Sequence, residues 1–481
     1  MMKSTVYSSY STGDQYTNSV TAMENLSLSS TATSSSAIQV GSNFDLLSEI
    51  LSYLPVKSLL VFKSVSKQWL SLISNPHFAI SHLNRHPIFK IHGLFFEKCS
   101  NPQLEYVYDF LLLDGSRIEE EEVINNRSST SAGGGGGYAL FKSLNFGNYQ
   151  PGYNGPVIEN GVRITQSCNG LLCCTRETEI SNDNYQPHIY TTHTYIYNPT
   201  TRKYRILPPS PFRDVVRDDC CYKVCSISLA FDPIQSPDYQ VVCIWKDIAK
   251  LWCLEAVDGE FHNYYYIEIY SSKTNSWKKL VSSSVNPFYA LPNSFTKSGV
   301  YWNGCLHWIA TEDDIEHESS MYFDIAQELV KPLPLPTTPD DDESNAVYFG
   351  ECGGHLYLIE VLASCHTDYN ILKMETDYSG WKLMYKLDLV RFITAYPGYD
   401  TYAFDRTRML YRMVLLLEED EEDSLSNLVV LVDGKKVISY NLKEMNITEI
   451  HTFTEGNVYS LARTGGLWGY LHHYIESLAC V

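Results

Sequence analysis

After about residue 160 the chain repeats one short pattern, which constrains the fold more than any single residue does. In each copy, an apolar residue is followed by a polar turn and, seven residues on, by a second bulky apolar residue. The four pairs are Tyr197 and Tyr204, Tyr270 and Trp277, Phe323 and Val330, and Met374 and Trp381. A strand end, a polar turn and a second strand that begins with a bulky residue are typical of a β-hairpin. The sequence therefore predicts four hairpins of one design.

A second repeated element precedes these hairpins. It reads Asn169-Gly170, Asn303-Gly304 and Gly353-Gly354, each followed by apolar residues. Asn-Gly and Gly-Gly supply the positive φ angles that tight turns need. Successive hairpins start 73, 53 and 51 residues apart. A period near 50 residues with four strands per unit predicts the blades of a β-propeller, whose closed ring protects strand edges. The repeat leaves the number of blades open.

Residues 43–86 have the periodicity of helices instead. One amphipathic stripe recurs at i, i+3, i+4 and i+7, formed by Leu47, Ile50, Leu51 and Leu54. Asn43 or Asp45 can cap the start of this helix, and Pro55 cannot continue it.

Three more short helices are predicted in the same stretch. The second carries Leu59, Leu60 and Phe62, the third Val65, Trp69, Leu72 and Ile73, and the fourth Phe78, Ala79 and Leu83. Asn75 caps the fourth helix and Pro76 is its first residue. Four short helices in so few residues are near the lower size limit for independent folding. Their apolar stripes therefore need cover, either from the chain's own large domain or from a partner helix.

The helical stretch resembles an F-box, the module with which a receptor protein docks on a Skp-type adaptor of a cullin–RING ubiquitin ligase. The matching pieces, in order, are Asp45-Leu46-Leu47, Glu49-Ile50-Leu51, Leu54-Pro55, Lys57-Ser58-Leu59-Leu60, Val65-Ser66-Lys67, Trp69, and Ser71 to Pro76 with Phe78. The chain departs from the family at Ser42 and Asn43, where the motif usually has Leu-Pro. Those two residues normally touch the adaptor, so the departure bears on affinity.

The resemblance implies a docking module on residues that include its own core. The adaptor-binding set is Leu46, Leu47, Ile50, Leu51, Leu54, Pro55, Leu59, Leu60, Val65 and Trp69, with Trp69 expected in the core rather than in the contact. It implies a non-catalytic receptor subunit without cofactor or metal, linked through the adaptor to a cullin–RING ligase and holding an unidentified target protein. It also implies an intracellular protein, in the cytoplasm, the nucleus or both.

The hairpin region resembles the F-box-associated domain of plant F-box proteins, a kelch-like β-propeller. The matching pieces are Ser167 to Leu172, Tyr197-Asn198-Pro199-Thr200-Thr201, Leu229 to Pro233, Tyr239 to Val242, Tyr270 to Trp277, and Val300 to Gly304. The expected fold is therefore α+β and multidomain, with a small all-α F-box module followed by a large all-β, propeller-like domain.

Composition divides the chain and excludes several classes of ligand. Residues 1–40 are rich in Ser and Thr and predict a disordered tail. Residues 43–86 are the F-box and residues 88–480 the propeller, with a Glu/Ser/Gly-rich insertion near residues 117–137. A formal net charge of −20 disfavours nucleic acid and anionic membranes as ligands. No apolar run is long enough to span a membrane, and the N-terminus has no signal-peptide core.

The thirteen cysteines lack a disulfide or zinc spacing and predict reduced thiols, mostly in the core. The nearest approach to a metal site is Cys352 with His355 and Cys365 with His366, but the surrounding predicted strands explain these residues, so no metal site is expected.

Catalysis finds little support in the sequence. His307 and His355 lie in alternating strand patterns, where a position on a strand surface explains them, and no hydrolase, zinc-protease or Rossmann motif is present. Two alternatives stay open: a propeller binding module with a weak ligase link or none, and a propeller enzyme or glycan binder. In the receptor interpretation, specificity lies in the long connections at residues 180–194, 211–222, 311–320 and 336–346.

Overall fold

The computed structural model describes residues 43–86, 90–98, 107–113, 157–159, 162–180, 189–210, 222–247, 265–280, 298–309, 320–336, 344–362, 365–388, 414–419, 425–432, 436–452 and 471–481. The predicted tail at residues 1–40 and the predicted insertion at residues 117–137 lie outside these ranges. The chain divides into two units between Arg85 and His86.

The described part of the first unit, from residue 43 on, consists of four helices, as the sequence predicts. They are α1 Phe44–Leu51, α2 Val56–Phe62, α3 Lys67–Ile73 and α4 Pro76–Arg85. Asn43 caps α1, since its Oδ1 accepts from the backbone N–H of Asp45 and of Leu46 at 3.1 Å each. The predicted third helix begins later than expected, because Ser66 caps it by accepting from the Trp69 N–H at 3.1 Å. Val65 therefore precedes α3 instead of belonging to it.

The core of the helical unit is small and is reinforced by polar contacts. Its buried apolar side chains are Leu47, Leu51, Leu59, Leu72, Ile73 and Phe78. His82 of α4 is also buried, and its Nε2 lies 2.7 Å from the Leu54 carbonyl oxygen, so it donates to the turn after α1. At the surface, Arg85 joins α4 to α1 by a 2.6 Å ion pair with Glu49.

The second unit is built from strands. In chain order they are β1 Gly93–Lys98, β2 Val107–Leu112, β3 Val157–Glu159, β4 Arg163–Cys168, β5 Leu171–Ile180, β6 Ile189–Asn198, β7 Lys203–Ile206, β8 Tyr222–Ala230, β9 Gln240–Asp247, β10 Tyr265–Ser271, β11 Ser276–Lys279, β12 Val300–Trp302, β13 Cys305–Trp308, β14 Met321–Asp324, β15 Leu329–Pro332, β16 Ser344–Cys352, β17 His355–Leu362, β18 Cys365–Met374, β19 Trp381–Asp388, β20 Val414–Glu419, β21 Leu425–Val432, β22 Lys436–Asn441, β23 Ile447–Thr452 and β24 Leu471–Tyr474.

The strands form six antiparallel sheets, which are the blades of a propeller. Blade 1 is β2-β1-β24, blade 2 is β3 to β7, and blades 3 to 6 are the four-stranded sheets β8 to β11, β12 to β15, β16 to β19 and β20 to β23. Blade 1 contains strands from both ends of the unit, since β1 pairs with β24 from Gly93 opposite Tyr474 to Phe96 opposite Leu471. This pairing ties the end of the unit to its beginning. The predicted all-β propeller is confirmed, with six blades.

Six apolar clusters fill the interfaces between successive blades and close the ring. Each cluster contains buried residues of two neighbouring blades, including blades 6 and 1. One residue from each side, in ring order, is Phe95 with Leu172, Leu171 with Val241, Val242 with Phe323, Trp302 with Leu358, Ile359 with Val430, and Val429 with Leu94. Burial of these faces supplies the main stabilisation of the ring.

The predicted hairpins are confirmed at the level of single residues. The pairs seven residues apart lie directly opposite one another: Tyr197 and Tyr204, Tyr270 and Trp277, Phe323 and Val330, and Met374 and Trp381. A fifth hairpin with the same spacing, Tyr440 opposite Ile447, escaped the sequence reasoning. Its first residue is Tyr like two of the others, so the same spacing could have found it.

The turns that precede the hairpins also have the predicted geometry. Asn169 and Gly170 join β4 to β5 with φ angles of 47° and 88°, and Asn303 and Gly304 join β12 to β13 at 49° and 73°. Gly353 and Gly354 join β16 to β17 at 56° and 83°. Two successive positive φ angles are the mark of a tight hairpin turn that matches strand twist.

Candidate docking site and comparisons

The helical unit carries a set of apolar side chains that its own core does not cover. On α1, Leu46, Ile50 and the following Tyr53 are spaced by four and three residues and share one face. These three side chains are 42%, 45% and 61% exposed. The other exposed large apolar residues described in this unit are Phe44, Val61, Val65 and Leu70. Exposed apolar residues gathered in so small a unit are typical of a binding surface.

The structure separates the predicted docking residues into three groups. Leu47, Leu51 and Leu59 are buried in the core; Leu54, Leu60 and Trp69 are half-buried; and Leu46, Ile50, Pro55 and Val65 are exposed. The half-buried Trp69 packs edge-on against Phe62, with ring centroids 5.4 Å apart. The predicted α1 stripe therefore has two sides, of which Leu47 and Leu51 face inward while Ile50 faces outward.

Four exposed apolar residues were missed by the sequence reasoning: Phe44, Tyr53, Val61 and Leu70. Tyr53 follows Ile50 by three residues, so helical spacing could have found it. Val61 and Leu70 each stand next to residues of an inward stripe and carry no separate signal. Only the packing of neighbouring helices decides which side of such a helix stays open.

The propeller offers a second candidate surface at one end of its strands. At one end of the strands, two-residue turns join β4 to β5, β12 to β13 and β16 to β17, and the longer connection of residues 231–239 joins β8 to β9. The hairpins β6–β7, β10–β11, β14–β15 and β18–β19 turn at the same end. The strand ends that the other connections join, such as those of β5 and β6 within a blade or of β7 and β8 between blades, therefore lie at the opposite end. All four predicted specificity segments join strand ends there, namely β5 to β6, β7 to β8, β13 to β14 and β15 to β16. Most of each segment lies outside the described residues.

His307 is buried, which corrects the expectation that it lies on a strand surface. It is 1% exposed, and its Nδ1 lies 3.1 Å from the Val300 carbonyl oxygen. A carbonyl only accepts, so Nδ1 carries the proton and Nε2 accepts from the Tyr378 hydroxyl at 2.9 Å. Burial lowers the pKa of His307 to about 4. The ring is thus a neutral packing element, stacked on Tyr322 and Tyr378, and not an exposed general base.

Two aspartates of the propeller, Asp232 and Asp324, accept hydrogen bonds within turns. Asp232 Oδ1 accepts from the backbone N–H of Ile234 at 3.0 Å. Asp324 Oδ1 accepts from the Gln327 N–H at 2.9 Å, and its Oδ2 pairs with Lys331 at the same distance. Both side chains stabilise turns.

The buried cysteines described in the propeller are packing residues of its core. The side chains of Cys168, Cys173, Cys174, Cys243, Cys305 and Cys352 are buried in the propeller. Burial raises the pKa of Cys173 to about 12, which keeps that thiol protonated. Within the described ranges, no three His, Cys, Asp or Glu side chains are grouped so that they could hold a metal ion. No helix in those ranges is both long and apolar enough to cross a membrane.

Comparison with known proteins assigns both units. Residues 153–464 match the F-box associated beta propeller domain, and residues 43–81 match the F-box domain. The chain belongs to the F-box associated beta propeller family. An F-box indicates binding to a Skp-type adaptor, and its combination with a propeller is the architecture of substrate receptors in ubiquitin ligases of this class. Members of this class are generally non-catalytic.

Two plant proteins align with this chain along most of their length. An F-box protein of Arabidopsis thaliana is 29% identical over 93% of this chain and 94% of its own length. A putative F-box/kelch-repeat protein of the same plant is 23% identical over 85% of this chain and 86% of its own. An oligogalacturonate lyase from Vibrio parahaemolyticus aligns with 60% of this chain and 77% of its own at 7% identity, with a TM-score of 0.34. A similarity that low supports no inference about this chain.

Proposed function

We propose that the protein is the substrate-recognition subunit of a Skp–cullin–F-box type E3 ubiquitin ligase. Its F-box docks on the adaptor, and its propeller holds a target protein. The observation that carries this proposal is the uncovered apolar face of α1, which lies inside the residues that match the F-box.

Docking uses the exposed part of the predicted set. Leu46, Ile50, Pro55 and Val65 are available to a partner, and Tyr53 extends the α1 face. Leu47, Leu51 and Leu59 act indirectly, because they hold the helices that present this face. A helix face of this kind fits a hydrophobic groove or a partner helix.

Charge adds a second condition on the adaptor. Residues 43–86 contain four Lys or Arg against two Asp or Glu, although the whole chain has a net charge of −20. The docking unit is therefore basic within an acidic chain. This difference favours an adaptor surface with acidic groups around its apolar contact.

The receptor itself performs no chemical step in this proposal. The adaptor links it to the cullin–RING scaffold, and the propeller holds the target near the charged ubiquitin-conjugating enzyme. The gain in rate comes from the effective concentration of the target's lysines. Target contacts lie at the propeller end that carries the long connections, since connections vary on a fixed scaffold.

A double substitution on the exposed face tests the docking step. In Leu46→Asp/Ile50→Asp, two carboxylates replace exposed leucine and isoleucine side chains, so the helix core stays intact. Losing two apolar contacts of roughly 1.5 kcal/mol or more each should weaken binding to a purified Skp-type adaptor at least about a hundredfold. The measurement is the equilibrium dissociation constant by calorimetry.

The matched control makes the same change on the other unit. Leu329 and Leu383 of the propeller are exposed like Leu46, and Leu329→Asp/Leu383→Asp should leave adaptor affinity unchanged. Leu51 is unsuitable for this purpose because it is buried, and a charge there would unfold the helical unit. Unchanged adaptor affinity in a folded Leu46→Asp/Ile50→Asp variant would refute the docking assignment.

A further inference from the structure

The seven residues after the last strand pack across blade 2 instead of leaving the propeller. Strand β24 ends at Tyr474, and residues 475–481 continue to the apolar cluster between blades 2 and 3. Ala479 belongs to that cluster, Val481 packs against it, and Leu478 is buried as well. This segment is therefore part of the folded propeller.

A buried asparagine at the end of β6 donates hydrogen bonds to the backbone of this segment. The Asn198 side chain is fully buried, and its Oδ1 accepts from the N–H groups of Thr200 and Thr201 at 2.9 and 3.1 Å. Its Nδ2 donates to the carbonyl oxygens of Ser477 and Ala479 at 3.1 and 2.8 Å. Without the segment, both of these donors would lose their partners, which is costly for a buried amide.

The segment lies so close to the turn between β4 and β5 that this turn has room only for a glycine. A Cβ added at Gly170 would overlap the Ser477 Cβ and lie 3.1 Å from the Ile475 carbonyl oxygen. Gly304 and Gly354 occupy the same turn position in blades 4 and 5, with similar positive φ, yet no atom of the described residues lies within 4 Å of a Cβ built there. The Ser477 N–H also donates to Thr200 Oγ1 at 3.1 Å. Only in blade 2, among these three turns, does a segment cover the glycine.

We infer that residues 475–481 form a C-terminal clamp that closes the ring a second time. The pairing of β1 with β24 closes blade 1, and the clamp then joins the same strand to the turns of blade 2 and to the core shared with blade 3. Blades 2 and 3 carry the strand ends from which residues 180–194 and 211–222 depart. Resting on the proposed function, the clamp thus fixes the relative position of the two blades from which these target-contacting connections depart.

Three glycine substitutions test the clamp in the full chain. Gly170→Ala, Gly304→Ala and Gly354→Ala each place a methyl group on a positive-φ turn residue, so their backbone strain is comparable. Only Gly170→Ala also displaces the clamp. It should lower Tm by at least about 3 °C more than either control. The Ser477 amide should exchange its hydrogen at least about tenfold faster in Gly170→Ala and at the unaltered rate in the controls. Equal losses of Tm with unchanged Ser477 exchange would overturn the inference.

A second pair of variants decides the question if Gly170→Ala fails to fold. Asn198→Asp keeps the acceptor but turns an oxygen toward the clamp's carbonyl groups. Asn441→Asp is its control, because Asn441 accepts from the Lys443 and Glu444 N–H groups in the same way, while its Nδ2 donates to Asn427 at 3.2 Å.

If the clamp exists, the Ser477 amide should exchange at least about tenfold faster in Asn198→Asp, or that variant alone should fail to fold. Identical behaviour of the Asn198→Asp and Asn441→Asp variants would contradict the clamp. Adaptor affinity, which depends on residues 43–85, should stay unchanged in every variant. Failure of the clamp is therefore distinguishable from failure of the proposed function.

Discussion

Two histidines are buried in the propeller where their neutral forms are favoured. Burial lowers the pKa of His307 to about 4. Burial, with the nearby positive groups of Arg163 and His473, lowers the pKa of His472 in β24 to about 3. In the unfolded chain both groups titrate near 6.5. Below about pH 6.5 the unfolded chain therefore protonates these two histidines while the folded propeller keeps them neutral.

This difference predicts that the propeller loses stability as the pH falls. The contribution of each histidine is fully present above about pH 6.5 and decreases below it, by up to about 1.4 kcal/mol per pH unit for each group. Urea unfolding at pH 7.5, 6.5 and 5.5 measures this slope above the range in which carboxylates titrate. His307→Gln should remove about half of the slope. A free energy of unfolding that rises or stays constant from pH 7.5 to 5.5 would show that these histidines do not control acid stability.

At the scale of elements, two tryptophans, one in blade 3 and one in blade 5, each link the last hairpin of their blade to the preceding blade. Trp277 of β11 in blade 3 donates through Nε1 to the Pro208 carbonyl oxygen at 2.8 Å, just after blade 2. Trp381 of β19 in blade 5 donates to the Pro334 carbonyl oxygen at 2.7 Å, just after blade 4. Both tryptophans are the second bulky residue of the repeated hairpin pattern. The repeat therefore encodes contacts between blades as well as within them.

Substitution of these tryptophans should cost stability additively. Trp277→Phe and Trp381→Phe keep an aromatic ring but leave a carbonyl oxygen without its donor, at a cost of about 1 kcal/mol or more each. The two sites belong to different blade pairs, so the double variant should lose the sum of the single losses. Equilibrium unfolding of the three variants measures this. Single variants as stable as the parent protein would contradict a stabilising role of these bonds.

Local features of the sequence were sufficient for the hairpins, because cross-strand partners seven residues apart are fixed by the turn between them. Tyr197 with Tyr204 and Tyr270 with Trp277 needed no distant information. The pairing of β1 with β24 joins residues almost 380 positions apart, so the number of blades and the closure could not be read locally. The same limit applies to the docking site, where periodicity located the stripe of Ile50 and Leu51 but only packing of α1 on its neighbours exposes one and buries the other.

At the scale of the whole molecule, the described residues of the two units form separate cores. The buried side chains of the helical unit come from α1 to α4, and the six clusters of the propeller come from blades 1 to 6 and the clamp. Surface changes in one unit should therefore leave the stability of the other unit unaltered. This division is what a receptor requires, since one surface must stay constant for the adaptor while another varies with the target.

The most direct test of the account is the affinity of the full chain for a purified Skp-type adaptor, compared with a chain that lacks residues 40–90. We expect a dissociation constant near micromolar or tighter for the full chain, corresponding to roughly −8 kcal/mol, and no measurable binding after the deletion. Equal binding by both proteins, or none by a folded full chain, would contradict the proposal that this propeller is linked to a ubiquitin ligase through its F-box.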